Sequence, residues 1–591
     1  MTKKQVNPLV LVLKSEWEHL GNRKKKFVLY MSLFVIAGLI QLMSPLVIGS
    51  IFNSIQNTIS SKQELIHLFY LISLLLIITI GFWIFHGIAR VMEQVSGFYV
   101  NKNYMMSKIN RVLALPVKWH KDNHSGDTID KVNRGSDAIS RFSQHTTVDV
   151  VYGIVNIFGS LIILFFIDWK IALFALIVSI LTLGMIIKFD KKLVKLYREL
   201  NKFSNKVSAA VFDYLSNIIT VITLRLRKVV SQEVDTRLIV SYKVTKKAAI
   251  LNESKWAFTS ITISLMTVIA LIYRSYTDYT TTGIILIGTL YILYGYLNTV
   301  GRTFYNFASL YGRLIKYGAR LANTEPIDNA HKKLVKKTKG KINPNWNEIE
   351  IKNLDFSYQK EGKKQHLDKI NLKLSRGKKI ALVGESGSGK STVLALLRGL
   401  YPVNKGKVVC DGKELVRGFE RLKSHITLIP QDPELFNNTI RNNITLGIKS
   451  NQRDIDKAVS LARFKKVVDR LEKGLDTNVL EKGVSLSGGE KQRLALARGL
   501  LAAKKSDIVL LDEPTSSVDS MNELKIHEGV FKEFKNKTIV SSIHRLHLLE
   551  KFDYIYFFEK GKIIAEGNLS DIKKNPKFKL LWENYILTKD K

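Results

Sequence analysis

Six long uncharged runs dominate the first half of the chain, at about Phe27–Phe52, Leu65–Ala89, Val150–Ile167, Ile171–Ile187, Trp256–Tyr273 and Tyr279–Val300. A helix needs about 20 apolar residues, within a range of about 17–25, to cross a bilayer. A charge at the centre of such a helix costs about 2.5–3.5 kcal/mol on insertion. Its exclusion from six successive runs therefore points to spans rather than buried core helices. In lipid each backbone polar group must be satisfied within the segment, so uncharged runs of this length must be helical. The regions before Phe27, at 90–149, at 188–255 and after Val300 are rich in Lys and Arg, whereas 53–64, 168–170 and 274–282 carry few. The positive-inside rule assigns the first set, and with it both termini, to the cytosol of a multi-pass cell-membrane protein. The two long cytosolic regions suit helical extensions of the spans joined by turns at His124–Asp127 and Ser216–Asn217.

The chain has 90 Lys and Arg against 51 Asp and Glu, a formal charge of +39. Such an excess suits nucleic acid, a membrane surface or a Lys-rich cytosolic part. The basic residues are spread over both halves and avoid the apolar runs, which favours a lipid bilayer as partner and no nucleic acid. The single cysteine, Cys410, excludes a disulfide framework within one chain and reads as a small buried apolar residue. Residues 1–26 end in Arg23-Lys24-Lys25-Lys26 and suit an amphipathic helix on the membrane surface. The run that follows is too long for the core of a cleaved signal peptide.

The second half changes character. A polar, Lys-rich connector with Pro326 and Pro344 spans 323–346. It reads as a linker between a transmembrane domain, 1–322, and a nucleotide-binding domain, 347–591. Ile349–Tyr358 alternates like a strand. Lys379–Val383 is a short apolar strand, and a helical pattern starts at Lys390. Between them Gly384-Glu385-Ser386-Gly387-Ser388-Gly389-Lys390-Ser391 fits the phosphate-binding pattern Gly-x-x-x-x-Gly-Lys-Ser. Its glycines let backbone N–H groups close on an anion, and the following helix presents its positive dipole end. Lys390 is placed to reach the β- and γ-phosphates, and the Ser391 hydroxyl to sit on Mg²⁺.

Further along, Thr427–Ile429 leads into Pro430-Gln431-Asp432. Ser485-Leu486-Ser487-Gly488-Gly489-Glu490 opens a strongly helical stretch, a second helix N-terminus suited to an anion. Asp507–Leu511 is a buried strand ending in Asp512 and Glu513, at the strand end where ligands of α/β sheets bind. Asp512 suits Mg²⁺, and Glu513 suits polarising an attacking water. Thr538–Ile543 is a strand ending in His544.

The order of these motifs resembles the ATP-binding cassette (ABC) family, and specifically an exporter half-transporter with six spans ahead of one cassette. The resemblance implies an all-α membrane domain followed by an α/β P-loop NTPase domain, with ATP and Mg²⁺ as cofactors. It implies that Tyr358 stacks on adenine and that the loop from Gly384 to Thr392 binds the phosphates. Gln431 would contact Mg²⁺ and the attacking water. Ser487, Gly488 and Gly489 would close on the partner subunit's ATP, Asp519 would communicate across the dimer, and His544 would hold the γ-phosphate. His547 competes for that last role, but Arg545-Leu546 fits the family pattern after His544. Glu481 and Gly126-Asp127 resemble elements that couple cassette and membrane domain. The sequence departs from the pattern at Glu490, where Gln is usual, at Pro514, at Ile543, and around Ile218–Lys228, which lacks an expected acidic residue. The implied partner is a second half-transporter, identical or not, because the one phosphate loop and the one signature, Ser485–Glu490 at the start of its helix, meet only across a dimer. The implied cargo is an amphipathic small molecule, lipid or peptide. A nucleotide-gated channel or regulator is the alternative, disfavoured by the complete catalytic set.

Overall fold

The computed structural model describes residues 8–57, 59–123, 125–334, 342–358, 366–479 and 486–589. Two compact units result, one of residues 1–115 and 123–333, the other of 116–122 and 334–591.

The first unit is helical: α1 (Pro8–His19), α2 (Lys24–Leu42), α3 (Ser44–Gln56), α4 (Lys62–Leu113), then α5 (Val117–Asp122), which groups with the second unit, α6 (Ser125–Arg141), α7 (Thr147–Ile167), α8 (Trp169–Ser216), α9 (Ile218–Thr223), α10 (Arg227–Ile239), α11 (Tyr242–Thr282), α12 (Ile287–Ala322) and α13 (Glu325–Leu334). Five segments, Gly21–Gln56, Lys62–Leu113, Ser125–Ile167, Trp169–Ser216 and Arg227–Thr282, are long and apolar enough to cross a membrane. Much of their apolar surface is exposed, as on Leu76, Trp83, Phe165 and Phe166, and suits lipid. The sixth helix, α12, is less apolar because Tyr291, Tyr294, Tyr296 and Asn298 interrupt it. It nevertheless buries Leu293, Tyr296, Leu297 and Val300 in the bundle core.

Several boundaries differ from the sequence reading. The sixth run does not form one helix from Tyr279. Its first residues complete α11, which ends at Gly283 in the left-handed conformation (φ 71°), and α12 starts at Ile287. The first run breaks at Met43, because Pro45 has no N–H to continue the ladder and instead starts α3. Gly126–Asp127 is the first turn of α6 rather than a free turn, whereas Asn217 does separate α8 from α9. The connector expected at 323–346 contains α13, whose Ile327 is buried and whose Asp328 pairs with Lys108 (2.6 Å) and Arg111 (2.5 Å) of α4. At its far end Ile342 and Trp346 are core residues of the second unit.

Close approach decides one seam of the bundle. A Cβ on Gly288 would lie 2.0 Å from the Gly49 carbonyl oxygen and 2.3 Å from Asn53 Oδ1. The backbones of α3 and α12 therefore touch there. The first amides of α12 are capped by α3 side chains, with Gly288 N–H donating to Asn53 Oδ1 and Ile287 N–H to Gln56 Oε1, both at 2.9 Å.

In the second unit the strands are β1 (Glu348–Phe356), β2 (Leu367–Ser375), β3 (Lys379–Gly384), β4 (Lys405–Cys410), β5 (Lys413–Glu414), β6 (Ile426–Ile429), β7 (Asn438–Thr439), β8 (Asn478–Val479), β9 (Ile508–Asp512), β10 (Thr538–Ile543), β11 (Tyr554–Glu559) and β12 (Lys562–Gly567). One sheet has the order β2-β1-β4-β5, antiparallel throughout; the larger has the order β12-β11-β3-β10-β9-β6. In the larger sheet β11, β3, β10, β9 and β6 run parallel, and β12 is antiparallel at the edge. Ile349, Ile351, Leu382, Leu396 and Trp346 share a core drawn from both sheets and the helix Lys390–Leu397, while Ile429, Leu494, Leu511 and Ile526 join a second core on the helical side.

Replacing Gly288 by Leu should force α3 and α12 apart. The expected loss is about 1–3 kcal/mol, as for an overpacked core. It should appear as a lower thermal midpoint of the purified protein, and an unchanged midpoint would contradict the contact between these backbones.

Candidate nucleotide site

The parallel register brings four motifs to one sheet edge. Strand β3 pairs with β10 (Val383 opposite Ile543), β10 with β9 (Ser542 opposite Asp512) and β9 with β6 (Leu511 opposite Ile429). The chain leaving the C-terminal ends of these neighbours carries, in turn, the Gly384 loop, His544, Glu513 and Gln431. Open α/β sheets bind ligands at this edge.

The loop after β3 has glycine where the backbone demands it. Gly384 has φ 149°, and a Cβ there would meet the Phe558 carbonyl oxygen at 2.3 Å; Gly389 has φ 109°, with Leu367 Cδ2 at 2.7 Å. The helix begins at Lys390, whose buried Nζ donates to its own loop, to Gly384 O (2.7 Å) and Glu385 O (3.0 Å). Burial pushes the Lys390 pKa below its ordinary value, with Glu513 and Asp512 opposing. The Ser391 hydroxyl donates to Asp512 Oδ1 at 2.8 Å. Burial raises the Asp512 carboxyl, partly countered by Ser391. The Thr392 hydroxyl lies 3.2 Å from the Tyr358 hydroxyl, and the Tyr358 ring meets Phe356, His366 and Tyr401 edge to face at 4.8, 5.0 and 5.2 Å.

Glu513 adopts the left-handed conformation, φ 47°, costly for a residue with a Cβ and typical of functional positions. One carboxylate oxygen lies 2.6 Å from His544 Nε2, and the other accepts from Gln431 Nε2 at 3.2 Å. Burial acts to raise the Glu513 pKa, but His544 and Lys390 more than offset it, so the carboxyl sits below its ordinary value and is ionised at neutral pH. His547 points elsewhere, with Nδ1 2.6 Å from the Tyr585 hydroxyl.

The second anion-type helix terminus is separate. Ser487 caps the helix Gly488–Ala503 in a reciprocal box: Glu490 N–H donates to Ser487 Oγ (3.3 Å) and Ser487 N–H to Glu490 Oε2 (2.9 Å). The other Glu490 oxygen pairs with Arg470 at 2.5 Å. Burial acts to raise the Glu490 carboxyl, and these Ser487 and Arg470 contacts pull it below its ordinary value instead. The unusual acid is thus neutralised within its own chain. Among the described residues no hydrogen bond or ion pair joins Ser487, Gly488 or Gly489 to the loop Gly384–Thr392. Asp519 caps the helix Ser520–Glu533, accepting from Asn522 N–H (2.9 Å) and Nδ2 (2.8 Å). Glu481 lies outside the described residues.

Sequence reasoning missed the polar residues that brace these motifs. Gln492, Glu523 and Arg545 are joined to the segment Thr515–Ser520 by hydrogen bonds. A usable signal was a Gln one helical turn after Gly488 in an otherwise apolar helix face. The short helix α5 was also missed. Its Lys121 Nζ lies 5.5 Å from the centre of the Tyr401 ring, within the second unit.

A membrane-spanning bundle fused to such a sheet defines a membrane-bound nucleotide hydrolase. Residues 27–304 match the model of the ABC transporter transmembrane region, and residues 367–516 match the ABC transporter model. The ATP-dependent lipid A-core flippase of Vibrio vulnificus (strain CMCP6) is 28% identical over 512 residues, 84% of this chain and 85% of that one. ATP-binding cassette sub-family B member 6 of Xenopus tropicalis is 30% identical over 492 residues, 80% of this chain and 56% of that one. A bacterial Atm1-family ABC exporter with ATP bound superposes with a TM-score of 0.81 at 20% identity, covering 95% of this chain and 99% of that one. The chain belongs to the ABC transporter family, as an exporter-type half-transporter that binds and hydrolyses ATP.

Replacing Glu490 by Gln should keep both cap bonds, since an amide oxygen also accepts from Ser487 N–H, and lose only the pair with the half-exposed Arg470. The expected change in stability is below about 1 kcal/mol. Thermal unfolding of the purified variant measures it, and a large drop would mean that the charge itself holds the signature helix.

Proposed function

We propose that two copies of this chain, or this chain and a related one, form a cell-membrane exporter that moves an amphipathic lipid, small molecule or peptide at the expense of ATP. The cassettes and both termini face the cytosol, as the Lys- and Arg-rich regions favour. The observation that carries this reading is the geometry of the Glu513 carboxylate, held between His544 and Gln431 next to Asp512, which in turn accepts from Ser391. It is the general base, deprotonating or orienting the water that attacks the γ-phosphate. His544 holds the γ-phosphate and keeps the carboxylate aimed. Lys390 is free to exchange its two carbonyl partners for phosphate oxygens, which restore the full charge that burial disfavours. Tyr358 stacks on adenine, and the amides of Gly384–Thr392 cradle the phosphates.

The donor set of the Ser391 hydroxyl, the Asp512 carboxylate and the Gln431 amide oxygen is all hard oxygen, and the 2.8 Å contact between Ser391 and Asp512 shows two of these groups already converged. It fits Mg²⁺, which when bound neutralises phosphate charge.

Two features support a dimer. Among the described residues Ser487, Gly488 and Gly489 have no hydrogen bond or ion pair to the phosphate loop of their own chain, which suits a helix terminus that serves the partner's ATP. Around α9, Ile219, Ile222 and Leu224 are 79%, 68% and 62% exposed, an apolar tip outside the spans that a second chain would cover. The uncharged centres of the spans and the named activity of the flippase relatives support an amphipathic cargo. The complete catalytic set disfavours a channel or regulator.

ATP hydrolysis by the chain purified alone in lipid nanodiscs tests this. Turnover should need Mg²⁺ and vanish with EDTA, and Glu513→Gln should bind ATP yet hydrolyse it about 10²–10⁴-fold more slowly. Near-normal turnover in that variant would sink the assignment of Glu513. Binding without turnover in the unaltered chain would mean that the working assembly needs a different second chain.

A further inference from the structure

Gln492 lies on the signature helix, is 6% exposed, and uses both ends of its amide. Nε2 donates to the Ser516 hydroxyl at 2.8 Å and to the Gln431 carbonyl oxygen at 3.4 Å, and Oε1 accepts from Ser517 N–H at 2.8 Å. One side chain therefore touches the signature helix on which it sits, the residue that also contacts Glu513, and the segment leading to Asp519. Beside it a Cβ on Gly489 would lie 2.7 Å from the Ser517 carbonyl oxygen, so the start of the signature helix rests directly on that segment's backbone.

The opposite side of the segment is braced independently. Arg545 donates to the Val518 carbonyl oxygen (3.0 Å) and to Glu523 (2.8 Å), and Glu523 accepts from the Thr515 hydroxyl (2.9 Å). Thr515–Ser520 is thus clamped between the residue after His544 and the signature helix. Among the described residues only the Gln492 side of the clamp also reaches Gln431. A buried amide that loses its partner is expensive to leave unmet, so the three contacts reinforce one another.

We infer that Gln492 is a positioning residue for ATP hydrolysis: on the reading of Gln431 and Asp519 given above, it locks the signature helix and the dimer-facing segment Ser516–Asp519 to the backbone of Gln431, so that they move as one body when the site closes. Gln492 touches neither nucleotide nor metal in this role. Its loss should leave ATP binding to the loop Gly384–Thr392 intact and impair the closed, hydrolytic arrangement.

The test uses the full chain in nanodiscs. Gln492→Met keeps the length of the side chain and removes both polar ends. Turnover per bound nucleotide should fall by up to about 10²-fold, the scale of a misplacement of roughly 1 Å at a reacting centre. The concentration of ATP giving half-maximal turnover, and the stoichiometry of bound ATP in a Glu513→Gln background, should stay close to those of the parent. Ser516→Ala, which cuts one of the three contacts with little risk to folding, should give a smaller loss of the same kind, and should add nothing once Gln492 is Met. Three results would overturn the inference: wild-type turnover in Gln492→Met, a loss expressed as weaker ATP binding, or independent multiplication of the Gln492→Met and Ser516→Ala effects. The Glu513 assignment is judged separately, by the Glu513→Gln turnover alone, so the two readings fail on different measurements.

Discussion

The parallel register of β3, β10, β9 and β6 is the constraint on which the site depends. Four strands in contact deliver four chain segments to one edge, and their order in the sheet is not their order in the sequence. Gly384, Ile543, Asp512 and Ile429 end neighbouring strands, so the residues just beyond them must meet. A one-residue slip between β9 and β10 would turn every side chain of one strand to the other face. Ile508 and Leu510 point into one core and Val509 and Leu511 into the other. Both faces are buried, and the register is fixed by packing on both sides rather than by the polar residues it serves.

That rigidity sustains local costs at the site. A left-handed Glu513 costs on the order of 1–3 kcal/mol, and the cores on both sides of β9 hold it in place. Lys390 is buried and donates to its own loop's carbonyls, and Asp512 is raised by burial while Glu513 is held ionised by a histidine and a lysine. Two adjacent carboxyls are thereby pushed in opposite directions. Environments that separate like groups in this way divide their chemical tasks.

Much of this was legible in the sequence because the site is built from strand ends. Each of Gly384, Asp512 and His544 follows an apolar run, and such runs mark buried parallel strands. What the sequence left unread were contacts between residues far apart along it. At Glu490 the reciprocal cap has the readable Ser-x-x-Glu spacing from Ser487, but the Arg470 partner that takes up the remaining charge has no spacing that announces it. Gln492 draws no attention in the sequence, and its value lies in Ser516, Ser517 and Gln431. The sixth span was misjudged at its start because Gly283 and Asn53 decide it: the glycine ends α11, and the asparagine from another helix caps α12. The polar connector hid α13 because its anchor, Asp328, answers Lys108 and Arg111 on α4.

The same logic governs the charges of the membrane unit. Asp190 and Lys255, each 5% exposed at the side chain, pair at 3.1 Å between α8 and α11, just beyond the uncharged runs of both helices. At the other end of the same two helices Arg274 lies 3.5 Å from Asp168 and 2.9 Å from Asp278. Ion pairs thus staple α8 to α11 above and below an uncharged middle. Between Ile171 and Ile187 of α8 and between Trp256 and Tyr273 of α11 the chain carries no charge, and Ala172, Ala175, Met266 and Ala270 from these stretches lie in the core. Pairing keeps each charge from standing alone where water is scarce. It also leaves the central stretch free of any fixed charge that would have to be neutralised by a passing molecule. The ion pairs at the two ends thereby hold these two long helices in register without placing a charge in their middle.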